Sequence, residues 1–120
     1  HAESWYNLGS SYLLTERPGE AIMPLRTALR LKPGMEDATV NLGVALIQSG
    51  NPTEAVAILE DVGQRFPQWP VVHINLGIAY VSIGKLEDAR RELAILHQIA
   101  PSYAQTLAEK INQAEQLSTP

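Results

Sequence analysis

Asn7-Leu8-Gly9 recurs as Asn41-Leu42-Gly43 and again as Asn75-Leu76-Gly77. The step is 34 residues each time, and a fixed period between about 20 and 50 residues marks a repeat array. Other columns keep the same step: Ala21, Ala55 and Ala89; Leu25, Leu59 and Leu93; Pro33, Pro67 and Pro101. Three copies, 2–35, 36–69 and 70–103, account for 102 of the 120 residues and leave His1 ahead and seventeen residues behind. One repeated unit therefore explains the chain as a single domain over 1–120.

Each copy contains two apolar patterns of helical period separated by a break. In the third copy Val71, Ile74, Ile78 and Val81 follow helical spacing, Gly84 interrupts, and Leu86, Ala89, Leu93 and Leu96 resume it. Gly50-Asn51-Pro52 marks the corresponding break in the second copy, and Pro33, Pro67 and Pro101 are expected to close the second helices. The unit is a helix–turn–helix, and the spacing predicts helices over 2–15, 18–31, 36–49, 52–65, 70–83, 86–99 and 102–117. Two residues in the first copy depart from the scheme. Glu16 fills the column of Gly50 and Gly84, which predicts a turn through Arg17-Pro18-Gly19 instead. Pro24 falls inside the second helix, where it removes a hydrogen bond and clashes with the Glu20 carbonyl, so a kink or a displaced helix start is expected.

A glycine inside a helix costs roughly 1 kcal/mol against alanine, so Gly9, Gly43 and Gly77 need compensation. Close approach of paired backbones supplies it, with Ala21, Ala55 and Ala89 as small partners on the second helices and Leu8, Leu25 and their equivalents filling the adjoining layer. After the third copy the columns are lost, yet Ala104, Leu107, Ala108, Ile111, Ala114 and Leu117 form one stripe opposite Gln105, Glu109, Asn112, Gln113 and Gln116. A helix over 104–117 with a polar outer face suits the end of a solenoid.

Composition narrows the function. There is no cysteine, which removes disulfide frameworks, cysteine zinc sites and thiol nucleophiles. A formal charge of −4 opposes the phosphate backbone, so nucleic acid is not the expected partner. No apolar stretch approaches the roughly 20 residues that cross a bilayer, so membrane insertion is not expected. A soluble protein follows, with the cytoplasm favoured over the periplasm and the compartment otherwise open. His1 is not an initiator methionine, and the expectation is a processed or excised product, with further repeats upstream because no cap precedes Trp5.

The pattern Trp5-x2-Leu8-Gly9-x2-Tyr12, then Ala21-x3-Leu25, Ala28 and Pro33, resembles a tetratricopeptide repeat, and the resemblance covers all three copies. The second copy carries Thr39 and Leu46, and the third His73, where the family has aromatic residues; Val62 and Leu96 replace the Ala28-type residue. The resemblance implies an all-α solenoid, a right-handed superhelix whose first helices line a concave face that commonly holds peptides.

Catalytic constellations do not emerge. His73 falls in a packing column and His97 late in a second helix, neither with an orienting partner evident in sequence. The glycines follow repeat geometry and form no phosphate-cradling loop. Glu36-Asp37, Glu60-Asp61 and Glu87-Asp88 read as helix-start or surface charge. No enzyme, cofactor or metal is expected.

Matching the chain to the family's groove positions gives Glu3, Tyr6, Asn7, Ser10 and Leu13 in the first copy. The second contributes Asp37, Val40, Asn41, Val44 and Ile47, and the third Val71, Ile74, Asn75, Ile78 and Val81. Helical spacing independently sets these on one face of each first helix. Asn7, Asn41 and Asn75 form a column of carboxamides able to donate to and accept from an extended main chain. Val40, Val44, Ile47, Ile74, Ile78 and Val81 add an aliphatic strip of the kind that marks interaction sites. Some members of the family clamp acidic C-termini with Lys, Arg and Asn, but Tyr6, Ser10, Val71 and Asn75 supply no cation here, so that specialisation is not expected. The expected function is a non-enzymatic protein–protein interaction module holding an apolar extended or helical segment. The alternative is a structural or self-associating segment of a larger scaffold, meeting another copy through its groove or its N-terminal edge.

Overall fold

In the computed structural model, which describes residues 1–118, seven helices follow one another in chain order. They are α1 (Ala2–Leu14), α2 (Pro18–Leu31), α3 (Glu36–Gln48), α4 (Pro52–Arg65), α5 (Pro70–Ser82), α6 (Leu86–Ile99) and α7 (Pro101–Ser118). Each helix packs on its chain neighbours, and the first helices of successive copies also meet, α1 with α3 and α3 with α5. The result is elongated, 49 × 29 × 22 Å, as a stack of hairpins must be.

The hairpin turn is one conformation used three times. Gly50 and Gly84 adopt φ of 89° and 78°, and Glu16 adopts φ 60° at the same position. Around each the backbone closes a pair of bonds: Glu16 N–H to Leu13 O and Arg17 N–H to Tyr12 O in the first copy, repeated by Gly50 with Asn51 and by Gly84 with Lys85. This is the Schellman arrangement, in which a left-handed residue just past the helix lets two orphan carbonyls be satisfied. The expected turn through Arg17-Pro18-Gly19 is thus corrected. The chain turns at Thr15-Glu16, and Pro18 and Gly19 form the first turn of α2, where a missing N–H costs nothing.

Second helices stop for a different reason. Lys32, Phe66 and Ala100 each precede a proline, whose ring pushes the preceding residue out of the helical region. Their φ/ψ values, −143°/84°, −130°/71° and −158°/74°, are alike. Pro33 and Pro67 then lie in short loops, whereas Pro101 opens α7 directly, so it begins an element as well as ending one. Pro24 does not displace the start of α2. The helix runs from Pro18 through a buried Pro24 to Leu31.

The core is the set of aligned columns. Ala21, Ala55 and Ala89 are fully buried, as are Leu25, Leu59, Ala28, Val62 and Leu96. A methyl group added to Gly9 would fall 2.5 Å from Leu25 Cγ, and one on Gly43 would fall 2.8 Å from Leu59. Glycine is required because a leucine of the second helix occupies the space. The third copy departs: the space beside Gly77 is filled by Leu107 of α7 and not by Leu93, which remains half-buried. Because Pro101 starts α7 without an intervening loop, α7 is out of register with the first helices and wedges against α5. Leu42 and Leu76 are buried, but Leu8 and Trp5 are each 40% exposed, since the layer that α2 and α4 build over α3 and α5 has no counterpart over α1 among the described residues.

Candidate functional site

The first helices bring most of the expected groove residues together. Tyr6, Leu13, Ile47, Ile74, Ile78 and Val81 are half-buried, with one side packed on the core. Val44 and Asn41 are likewise half-buried, Ser10 joins them, and Asn7 is exposed. The accessible aliphatic strip is Val44 and Ile47 on α3 continuing to Ile74, Ile78 and Val81 on α5. Val40 is a correction. At 3% exposure it belongs to the core, because its turn of α3 faces the packed interior and leaves no surface for a ligand.

The asparagine column is less uniform than expected. Asn41 Nδ2 donates to Ser10 Oγ at 3.0 Å, a side-chain bond between the first and second copies. Asn75 Nδ2 donates back to Val71 O at 2.8 Å. Each uses one of its two amide N–H groups in this way, so the carboxamide oxygen and the second N–H are the groups left for a ligand main chain. Charge is sparse here. A backbone hydrogen bond and then Lys32, 3.3 Å away, hold the Glu3 carboxyl below its usual range.

Sequence reasoning missed a polar cluster where α4, α5 and α6 meet. His73 is 5% exposed, with Nδ1 2.7 Å from Glu92 Oε1 and Nε2 2.6 Å from Pro67 O. The ring thus ties the loop after α4 to α6. Beside it Tyr80 donates its hydroxyl to Glu60; burial, and then that carboxylate, push the Tyr80 phenol above its ordinary value. The cleft between them holds about 310 Å³, with Gly63, Gln64 and Leu76 completing its wall. A signal existed in the columns: Trp5, Thr39 and His73 share one, and Pro24, Ile58 and Glu92 share another. Only the third copy places a polar ring in the first of these and an acid in the second. Since both ring nitrogens of His73 are engaged, the cluster fastens repeats together. Among the described residues no group of three His, Asp or Glu side chains is placed to hold a metal.

The tetratricopeptide repeat profile matches residues 12–73 and 46–111, two overlapping windows that together span most of the chain. The chain belongs to the tetratricopeptide repeat family. Solved structures agree on the fold. MamA 41-end from Desulfovibrio magneticus RS-1 superposes with a TM-score of 0.80 at 20% identity, covering 98% of this chain and 75% of that one. The thermophilic TPR protein TTC0263 of Thermus thermophilus gives 0.83 at 21% identity, covering 98% and 66%. No curated protein sequence matches the chain. The tetratricopeptide assignment makes the molecule an all-α solenoid of a protein-interaction fold, and no helix among the described residues is long and apolar enough to cross a membrane.

Proposed function

We propose that this tetratricopeptide domain is a non-enzymatic binding module whose concave face holds an apolar protein segment, extended or helical. The observation that carries this reading is the row Val44, Ile47, Ile74, Ile78 and Val81, accessible along adjacent first helices with almost no charge among them. Side chains of this kind gain roughly 25 cal/mol for each Å² they lose to a partner. Asn41 and Asn75 contribute acceptors for main-chain N–H groups, and Asn7, with no side-chain bond among the described residues, offers both amide functions. Tyr6, Ser10 and Leu13 extend the contact onto α1.

Cross-linked capture followed by quantitative mass spectrometry tests the reading with three proteins: wild type, Val44→Glu, and Met23→Glu. Met23 lies exposed on α2, away from the first helices. Partners retained by wild type and Met23→Glu but lost with Val44→Glu are expected; equal capture by all three rejects the groove.

A second reading is favoured by Trp5 and Leu8, which stand open on α1. Their counterparts in later copies are covered by a preceding helix, so a neighbouring protomer could cover them, making the domain part of a self-associating scaffold. Light scattering across concentration decides this, since a constant monomer mass from micromolar to millimolar protein excludes it.

A further inference from the structure

We propose that His73 and Glu92 form a proton-operated latch on the loop between α4 and α5, closed while the couple holds two protons and opened by the loss of one to solvent. The buried ring has Nδ1 2.7 Å from Glu92 Oε1 and Nε2 2.6 Å from Pro67 O. Both partners are acceptors, and a neutral imidazole has one N–H to donate. The two contacts therefore need one proton between Nδ1 and Oε1 and a second on Nε2. With a single proton left, the carboxylate claims it as the stronger acceptor, and the Nε2 lone pair faces the Pro67 carbonyl. Two acceptors at hydrogen-bond distance repel, so the carbonyl must withdraw and the loop moves with it.

Among the described residues no other hydrogen bond joins this loop to α6. Its remaining backbone bonds are local: Phe66 N–H to Val62 O, Trp69 N–H to Phe66 O and Val72 N–H to Trp69 O. Phe66 and Trp69 meet edge to face at 6.1 Å within the same loop. The preceding junction is built without a latch. There Thr39 and Ile58 occupy the columns of the couple, and Thr39 Oγ1 donates to its own turn at Met35 O. Opening thus releases one loop and leaves the repeats folded. The ionisable groups around the ring come from three helices. Glu92 is on α6 with Arg91, which is paired with Asp88, and Tyr80 of α5 donates to Glu60 of α4 across the same cleft. Arg65 of α4 is held by Glu36 and Asp61, and neither Asp37 of α3 nor Lys110 of α7 lines the cleft. Glu92 is the ionisable side chain bonded to the ring, so these two residues set the proton count.

Nuclear magnetic resonance on the isotope-labelled wild-type chain tests the latch from about pH 5 to 9, spanning the range in which histidines change charge. Long-range proton–nitrogen spectra should show His73 Nε2 protonated at the acid end and bare at the alkaline end. The Trp69 indole resonance should shift with the same one-proton midpoint. Glu92→Gln separates a latch from a packing contact. Its amide can donate to Nδ1 and leave the single ring proton on Nε2 for Pro67 O, so the Trp69 resonance should hold its acid-form position across the whole range. An Nε2 that keeps one state throughout overturns the latch, as does a Trp69 resonance indifferent to the change at Nε2. A Trp69 transition that survives in Glu92→Gln overturns it too. The two wild-type readings decide the matter if Glu92→Gln does not fold.

Discussion

Glu16 holds a left-handed backbone that two glycines adopt in the equivalent turns. A side chain in that region costs on the order of 1–2 kcal/mol, partly offset by the freedom glycine gains in the unfolded chain. Glu16→Gly should therefore raise unfolding stability by about 0.5–1 kcal/mol, read from the midpoint of urea denaturation. His73 and Glu92 form a buried couple, and Glu92→Ala strands one ring nitrogen, at a cost of about 1–3 kcal/mol. The double variant His73→Leu with Glu92→Leu should recover much of that loss, because nothing polar then remains unpaired. Tyr80 gives a third expectation. Folding favours its protonated phenol, so this stabilisation is present below the ordinary tyrosine pKa of 10.0 and lost as pH rises beyond it. Absorbance titration of the four tyrosines should find one that ionises only as the chain unfolds.

At the scale of elements, what was legible in the sequence was what repeats. The three Asn-Leu-Gly columns and the proline spacing locate the helices α1 to α6 to within a residue, because local steric rules act identically in each copy. Departures were illegible wherever one copy solves a shared problem differently. Glu16 turns the chain without glycine because the two local backbone bonds of the Schellman closure hold it there, and single-residue propensity does not contain that pairing. Val40 shares helical spacing with its accessible neighbours, yet the wider apolar arc of α3 takes it into the core. The role of α7 was visible as an apolar stripe, but its register was not, since that follows from Pro101 opening the helix at once. Leu107 is the resulting wedge against Gly77, and it is fully buried. Leu107→Ala should cost roughly 2–5 kcal/mol by chemical denaturation, whereas Leu93→Ala, at the column's own but half-buried position, should cost less. The reverse order would mean that α7 does not pack as described.

At the scale of the molecule, three hairpins and one closing helix build a continuous face from helices that are adjacent in space and 34 residues apart in sequence. Exposed ion pairs such as Arg26 with Glu54 and Lys32 with Glu3 link neighbouring elements but add little stability each; the buried alanine and leucine columns do most of the holding. That division leaves the exposed face of the first helices free for the binding proposed above. Val44 sits at its centre, accessible and uncharged, so a carboxylate there adds charge to the contact strip without disturbing the buried columns. Capture by wild type beside Val44→Glu and Met23→Glu is the most direct measurement of this account. It predicts partners common to wild type and Met23→Glu that disappear with Val44→Glu while circular dichroism is unchanged. Identical partners at identical yield from all three would contradict it.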